Sequence, residues 1–358
     1  MSDQTPDQNL HLPSLVIKNF RGIDELTIPR LGRVTLLAGK NGVGKTTVLD
    51  AVRVWASRGL TNEFSEVLTD RGDAFIRNAD SQQRTVIDRT ALFTHRPASP
   101  EITISIGAIE DANTLKIRQF YSKDRTSRPV PFPMDVSEYV HLEMQLGASG
   151  LWREGLHFLL DSIPTAVPCS TFGPNRPTDE TVEEYWNEVA LTSHEDRALE
   201  ALNLITDVVV ERVAALEPFP GTGFMQPRRV MAKVRDSDCQ VPLRTLGDGA
   251  FRTFAVGLAL ARSSGGFLLI DEAENGIHHS IQAKFWNMVL QTAERNNVQV
   301  IATTHSWDCV EGFAQAANEL EDIEGLLVRI ERVPVGLRAI TYDESRLASV
   351  TKYDIEVR

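Results

Sequence analysis

Residues 36–52 read LLAGKNGVGKTTVLDAV, with three glycines, two lysines and two threonines between an apolar run and an amphipathic one. Gly39, Gly44, Lys45 and Thr46 satisfy the P-loop spacing G-x-x-x-x-G-K-[ST]. Phosphate oxygens can be wrapped by backbone N–H groups that converge at the positive end of a helix. Glycine is needed where that backbone must approach closely or take a positive φ. Asn41, Gly42, Val43, Gly44 and Lys45 would supply the donors, with Thr46 and Thr47 opening the helix. Lys45 would reach the β- and γ-phosphates, and the Thr46 hydroxyl would hold Mg²⁺. Far along the chain, the apolar run Gly266–Ile270 ends in Asp271 and Glu272. Asp271 would support the Mg²⁺ held by Thr46, and Glu272 could orient or deprotonate an attacking water. His305 follows a second apolar run and could sense the γ-phosphate or that water, although a histidine at a strand end is also an ordinary capping residue. The chemistry expected is binding and hydrolysis of a nucleoside triphosphate, with ATP and Mg²⁺ as cofactors.

These residues need particular elements to hold them. Arg33–Ala38 is rich in strand formers, and Val48, Leu49, Val52 and Trp55 recur at helical spacing after Lys45. Gly266–Ile270 is continuously apolar, as a strand buried on both faces should be. Val298–Thr304 reads as a strand, and between the two runs Ile281, Phe285, Met288, Val289 and Thr292 mark one face of a helix over 277–295. Strand, crossover helix, strand is the pattern of a parallel sheet. Before Asp271, residues 244–261 (RTLGDGAFRTFAVGLALA) place the turn Gly247-Asp248-Gly249 at the start of an apolar helix. That start is a potential phosphate site and, taken alone, equally an ordinary helix beginning.

Between the P-loop and this turn, residues 101–107 and 114–121 read as strands, and a proline-broken loop spans Arg128–Pro133. Ser193 opens a capping-box pattern, after which Leu199, Leu202, Ile205, Val209, Val213 and Leu216 predict one long amphipathic helix. Its apolar stripe would pack on the domain's own core or meet a partner. After His305 the sequence predicts a helix over 307–319 and a strand over 325–333. The expected organisation is a disordered N-terminus over 1–11, an ATPase core from 12–60 and 225–358, and an insertion or lobe over 61–224 with strands and the long helix.

Taken together, the motifs resemble the ABC-type ATPases of the RecF/SMC class, and most nearly the AAA-type ATPases of the OLD-like (overcoming lysogenization defect) branch. The likeness is carried by Leu15–Ile23, Gly39–Thr47, Leu246–Gly249, Asp271–Gly276 and Thr304–Ser306. It implies an α/β fold, a mixed sheet with flanking helices, with a helical or mixed insertion between P-loop and signature motif. It also implies a homo-oligomer, at least a dimer, with ATP sandwiched between one P-loop and the partner's Gly247–Gly249 helix start. By the same resemblance Asn19 and Arg21 lie near the nucleotide. The chain departs from the transporter signature Leu-Ser-Gly-Gly, since Leu246 is followed by Gly247; only Thr245 offers a hydroxyl there. The glutamine that usually follows the first lobe's strand has no clear counterpart.

Composition bounds the function. At 358 residues, with 42% hydrophobic and 24% charged residues, this reads as a soluble globular chain. A net charge of −12 leaves DNA as a conceivable partner but one not indicated by charge. Cys169, Cys239 and Cys309 form neither a disulfide framework nor a zinc motif, so a reducing cytoplasm is the simplest setting. No apolar run has membrane-spanning length, and no membrane partner is expected. A Toprim nuclease domain, which OLD-like proteins often carry, needs roughly 100 residues or more and finds no room between His305 and Arg358. The expectation is an ATP-driven switch in anti-phage defence or DNA maintenance with a separate effector, for example a Toprim-type nuclease. The alternative is a RecF-like DNA-binding repair ATPase that needs no nuclease. A transporter subunit is excluded by the long gap between P-loop and signature, and a non-hydrolysing scaffold sits poorly with Lys45, Asp271 and Glu272.

Overall fold

The computed structural model describes residues 10–79, 82–94, 102–121, 140–148, 152–153, 165–175, 177–217, 228–237, 239–320 and 322–343. The elements that matter most begin with β1 (Leu15–Phe20), β2 (Ile23–Ile28), β3 (Val34–Ala38) and α1 (Lys45–Ala56). They are followed by α2 (Thr61–Asp70), β4 (Ala74–Ala79), β5 (Gln82–Ile87), β6 (Thr103–Gly107), β7 (Leu115–Tyr121), β8 (Val140–Leu146) and β9 (Trp152–Arg153). Then come β10 (Cys169–Phe172), α3 (Asp179–Val189), α4 (Ser193–Asn203), β11 (Val210–Leu216), β12 (Arg229–Val234) and β13 (Gln240–Pro242). The last group is α5 (Asp248–Arg262), β14 (Phe267–Ile270), α6 (Gln282–Arg295), β15 (Gln299–Thr304), α7 (Trp307–Glu319), β16 (Gly325–Val333) and β17 (Gly336–Tyr342).

The central sheet has the order β10-β14-β15-β3-β16-β17. Its first five strands pair in parallel and β17 returns antiparallel on β16, so the sheet is mixed. Successive side chains of a strand point to opposite faces. Leu268 and Ile270 therefore enter one core, with α5, α6 and α7, while Phe267 and Leu269 enter the other, with α1. Two buried faces explain why this strand is apolar at every position. The second core is closed by an antiparallel sheet, β2-β1-β6-β7-β8-β9. Between the sheets, Trp55 of α1 meets Phe267 edge-on at 6.1 Å, and its Nε1–H donates to the Asn113 carbonyl at 3.1 Å. From Ala250 to Ala261 every residue of α5 is buried, which is what a helix apolar on all sides requires.

The long helix expected from Leu199 to Leu216 does not form. α4 ends at Asn203, and Val210–Leu216 is strand β11, paired with β12 in a three-stranded sheet. The break has a local cause. The Asn203 amide clamps Val210 from both sides, donating to its carbonyl at 3.0 Å and accepting its N–H at 2.8 Å. The run Val208-Val209-Val210 is β-branched and suits a strand better than a helix. The cap of α4 is Thr192, whose hydroxyl accepts the His194 N–H, rather than Ser193. The helix expected over 277–295 is shorter, beginning at Gln282 after a 3₁₀ turn over His279–Ile281.

Five strands of the 61–224 stretch belong to these sheets, β6 to β9 in the antiparallel one and β10 in the central one. β10 is an edge strand of the central sheet, and β6 joins β1 in the antiparallel one. Gln82 and Gln83 lie in β5 of a separate β4–β5 hairpin. The loop over Arg128–Pro133 and the N-terminal nine residues fall outside the described residues.

Candidate functional site

Parallel strands bring their carboxyl ends to one edge of a sheet, and ligands of open α/β sheets bind there. Here β3 ends in the P-loop, β14 in Asp271-Glu272, and β15 in His305. The register makes this specific, for Thr304 pairs with Ala38 and Ala302 pairs with Ile270. Three segments far apart in sequence therefore reach one place.

At the P-loop, Gly39 has φ 149°, and a Cβ there would lie 2.4 Å from the carbonyl oxygen of Ile330 in β16. Only glycine lets the loop leave β3 this close to its neighbour. Asn41 and Gly42 are exposed, Val43 is buried, and Gly44 caps α1 in a left-handed conformation. Lys45 is buried and folds back over the loop, donating from Nζ to the carbonyls of Gly39 at 2.6 Å and Lys40 at 3.2 Å. Burial pushes its pKa below the ordinary lysine value, opposed by the negative charges of Glu274, Asp271 and Glu272. The ammonium thus closes the loop on itself, held between its own carbonyls and three carboxylates.

Thr46 Oγ1 donates to Asp271 Oδ1 at 3.2 Å, so the P-loop and the β14 carboxylate meet directly. The same Oδ1 accepts from Thr303 Oγ1 at 2.6 Å, and Thr303 Oγ1 accepts the Glu272 N–H at 2.9 Å. One hydroxyl of β15 thus fixes both acidic residues. Thr47 is half-buried on α1. Glu272 takes φ 50°, an uncommon value outside glycine and one found where a site stores strain. Its carbonyl accepts from Arg252 of α5 at 3.1 Å, and its Oε2 accepts from Asn275 Nδ2 at 2.6 Å. Arg252 is buried with its guanidinium 5.0 Å above the Phe172 ring. Burial lowers its pKa to about 10, against the pull of Glu274 and Glu272. His305 is bound to Glu274, whose Oε1 accepts the His305 N–H at 3.0 Å and sits 2.9 Å from Nδ1.

A cavity of about 340 Å³ opens beside Thr46 and Asp271, walled by Asp50, Arg71, Phe172 and Asn175. Arg71 grips Asp50 with two bonds of 2.9 Å; burial raises the pKa of that carboxyl and the arginine draws it back. Another cavity, of about 350 Å³, lies on the other side of the loop, between Lys40–Val43 and Arg329–Arg332.

The remaining expected residues lie as follows. Gly247 caps α5 at φ 108°, with Gly247 and Asp248 exposed; Gly249 packs on Ile281 and the Gly276 carbonyl, just beyond the acidic pair. Thr245 donates to the Pro242 carbonyl at 2.7 Å and so caps the preceding turn. Arg21 (φ 52°) pairs with Asp73 at 2.9 Å, close enough to Asp50 of α1 to stabilise its charge; Asn19 (φ 58°) donates to the Thr103 carbonyl at 2.9 Å. Sequence reading missed Thr303 and Arg252. Thr303 is a polar residue inside an apolar strand end, and Arg252 a cation inside a largely apolar helix; both were visible signals. Among the described residues no cluster of three or more His, Cys, Asp and Glu could hold a metal by itself. Thr46 with Asp271 fits the Mg²⁺ habit of taking one or two protein ligands and filling the rest with water and phosphate oxygens.

The fold is that of the ABC-type P-loop ATPases. Residues 14–129 match the family described as "AAA domain", and residues 179–308 match "AAA domain, putative AbiEii toxin, Type IV TA system". An "ATP/GTP phosphatase" of Helicobacter pylori is 20% identical over 86% of this chain and 89% of its own length. An "OLD nuclease" of Thermus scotoductus is 23% identical over 82% of this chain; the match spans 59% of that relative. Among solved structures, an SMC head bound to the C-winged helix domain of ScpA has a TM-score of 0.50 at 14% identity, covering 93% of this chain and 98% of that one. The SMC head domain from Thermotoga maritima also scores 0.50, at 12% identity, over 93% and 100%. The two AAA-domain matches and these relatives support an ATP-hydrolysing enzyme. No helix among the described residues is long and apolar enough to cross a membrane.

Proposed function

We propose that the chain is an ATP-driven switch that closes around ATP as a dimer or larger assembly and opens on hydrolysis. The observation that carries this reading is the 3.2 Å contact between Thr46 and Asp271, which joins the P-loop to the acidic strand. The loop amides over 41–45 and Lys45 would hold the phosphates. Thr46 and Asp271 would hold Mg²⁺, which supplies charge neutralisation at the β- and γ-phosphates. Glu272 takes a proton from the attacking water, and its backbone, pinned by Thr303 and Arg252, keeps the carboxylate in place. His305 stands at the P-loop edge as the residue that answers to the terminal phosphate. The exposed start of α5 at Gly247 and Asp248 would face a nucleotide on an opposing copy with the positive end of its helix. Gly249 rests on the turn that follows Glu272, so engagement of that helix start is coupled to the acidic pair of its own chain.

The name of one relative, OLD nuclease, suggests nucleic-acid work, and we assign the switch to anti-phage defence or DNA maintenance through a separate effector, with a Toprim-type nuclease as the leading candidate. Assembly is tested by light scattering on Glu272→Gln, in which trapped ATP should hold subunits together. A shift to a larger species with ATP and not with ADP is expected. An unchanged size with either nucleotide would remove the sandwich from the account.

A further inference from the structure

Glu274 is the acidic residue that the hydrolysis chemistry above leaves unused, yet three parts of the site converge on it. Its Oε1 accepts the backbone N–H of His305 at 3.0 Å and lies 2.9 Å from Nδ1 of the same residue. Among the carboxylates acting on Lys45 of the P-loop its charge pulls hardest, and the same holds for Arg252 of α5. The Glu274 side chain is only 10% exposed, whereas that of His305 is 43% exposed. Its second oxygen, Oε2, is buried with no hydrogen-bond partner among the described residues. Burying a carboxylate oxygen without a partner is costly.

The geometry at Oε1 has a definite consequence. One acceptor takes both the main-chain N–H and the ring of a single residue, so the backbone and the ring of His305 are held together. A carboxylate only accepts, so the proton of a neutral ring sits on Nδ1 and the lone pair falls on Nε2. Nε2 lies across the ring from Glu274, on a side chain that is 43% exposed. The pairing of Thr304 with Ala38 places His305 level with Gly39, the first residue of the P-loop. We propose that Glu274 is the positioning residue of His305, selecting its Nδ1–H tautomer and turning Nε2 to the terminal phosphate of a nucleotide on the P-loop. This rests on the nucleotide reading of the P-loop given above. The residue that senses the nucleotide is thereby fastened to the acidic turn, between the fields of Lys45 and Arg252.

The test uses the full chain with ¹⁵N-labelled histidine, at a pH of about 8.5 where free histidine is neutral. Long-range ¹H–¹⁵N spectra report the tautomer, and the His305 signals are identified by their loss in His305→Asn. The wild type should show Nδ1–H at His305. Glu274→Ala should convert it to Nε2–H, while Glu274→Gln, whose amide oxygen still accepts, should keep Nδ1–H. In steady-state ATPase assays Glu274→Ala should lower kcat by roughly 10- to 100-fold with KM changed by less than about threefold. Glu274→Gln should recover most of that loss. In a His305→Asn background Glu274→Ala should cost no further kcat, whereas a purely structural role would cost the same again. Glu274→Met, nearly the same size and without an acceptor, gives the same readings if the alanine variant does not fold. Retention of Nδ1–H in the non-accepting variants, or additive losses in the double variant, would overturn the proposal. If ATP does not bind the P-loop, the assays fail while the tautomer still responds to Glu274, so the two failures are told apart.

Discussion

Lys45 is the residue on which nucleotide affinity should depend most. Its Nζ now rests on the Gly39 and Lys40 carbonyls, and three carboxylate fields oppose the lowering of its pKa by burial. Phosphate oxygens would replace those carbonyls as partners. Lys45→Ala removes about 3 kcal/mol of charge-assisted hydrogen bonding, or roughly 100-fold in affinity. Titration of a fluorescent ATP analogue against both proteins measures this; equal affinities would mean that the loop does not hold phosphate. Residues of this kind were legible in the sequence because a P-loop is a local pattern with fixed spacing. The pairings of Thr303 and Glu274 were not, because their partners Asp271 and His305 lie one strand away, and only the register of β14 against β15 brings them together. Glu274 sits in the very turn that was singled out for its acidic pair, but nothing local tells which carboxylate faces the histidine.

At the level of elements, the strands that carry the site were readable and the connections less so. β3, β14 and β15 are short, apolar and bounded by polar tips, so their period is clear. α4 and β11 were merged because leucines and valines three or four residues apart satisfy a helical stripe even when the chain turns between them. Asn203 decides the matter through a side-chain clamp on Val210 that no periodicity records. The contact of the P-loop with β16 is also an element-scale fact, and it makes a sharp prediction. Gly39→Ala would push a methyl group to 2.4 Å from the Ile330 carbonyl oxygen, and the residue already sits at φ 149°. Backbone must move on both strands, at a cost of roughly 2–4 kcal/mol. Thermal unfolding should show a fall of several degrees together with loss of ATP binding; an unchanged midpoint would contradict this packing.

For the whole molecule, chain order conceals spatial order. β10 comes from the middle of the sequence yet pairs with β14, carrying Asn175 to the cavity beside Asp271. Sequence motifs located the two ends of the ATPase, but a four-residue edge strand has too little pattern to announce its sheet. The division of labour between switch and effector also belongs to this scale. Among the described residues no cluster of three or more His, Cys, Asp and Glu could hold a metal by itself, and we assign Thr46 and Asp271 to the nucleotide's Mg²⁺. The purified chain should therefore leave DNA intact with Mg²⁺ or Mn²⁺. Nicking that survives Lys45→Ala would place a nuclease in this chain and end the separate-effector reading.

The central claim, that ATP is hydrolysed where the P-loop meets the β14 carboxylates, is tested most directly by Glu272→Gln. The amide keeps the side-chain shape and can still accept from Asn275, but it cannot take the proton of the attacking water. Binding and single-turnover hydrolysis of ATP are measured on the same preparation. The account predicts ATP affinity within about threefold of wild type and hydrolysis slower by roughly 100-fold or more. Hydrolysis at the wild-type rate would contradict it.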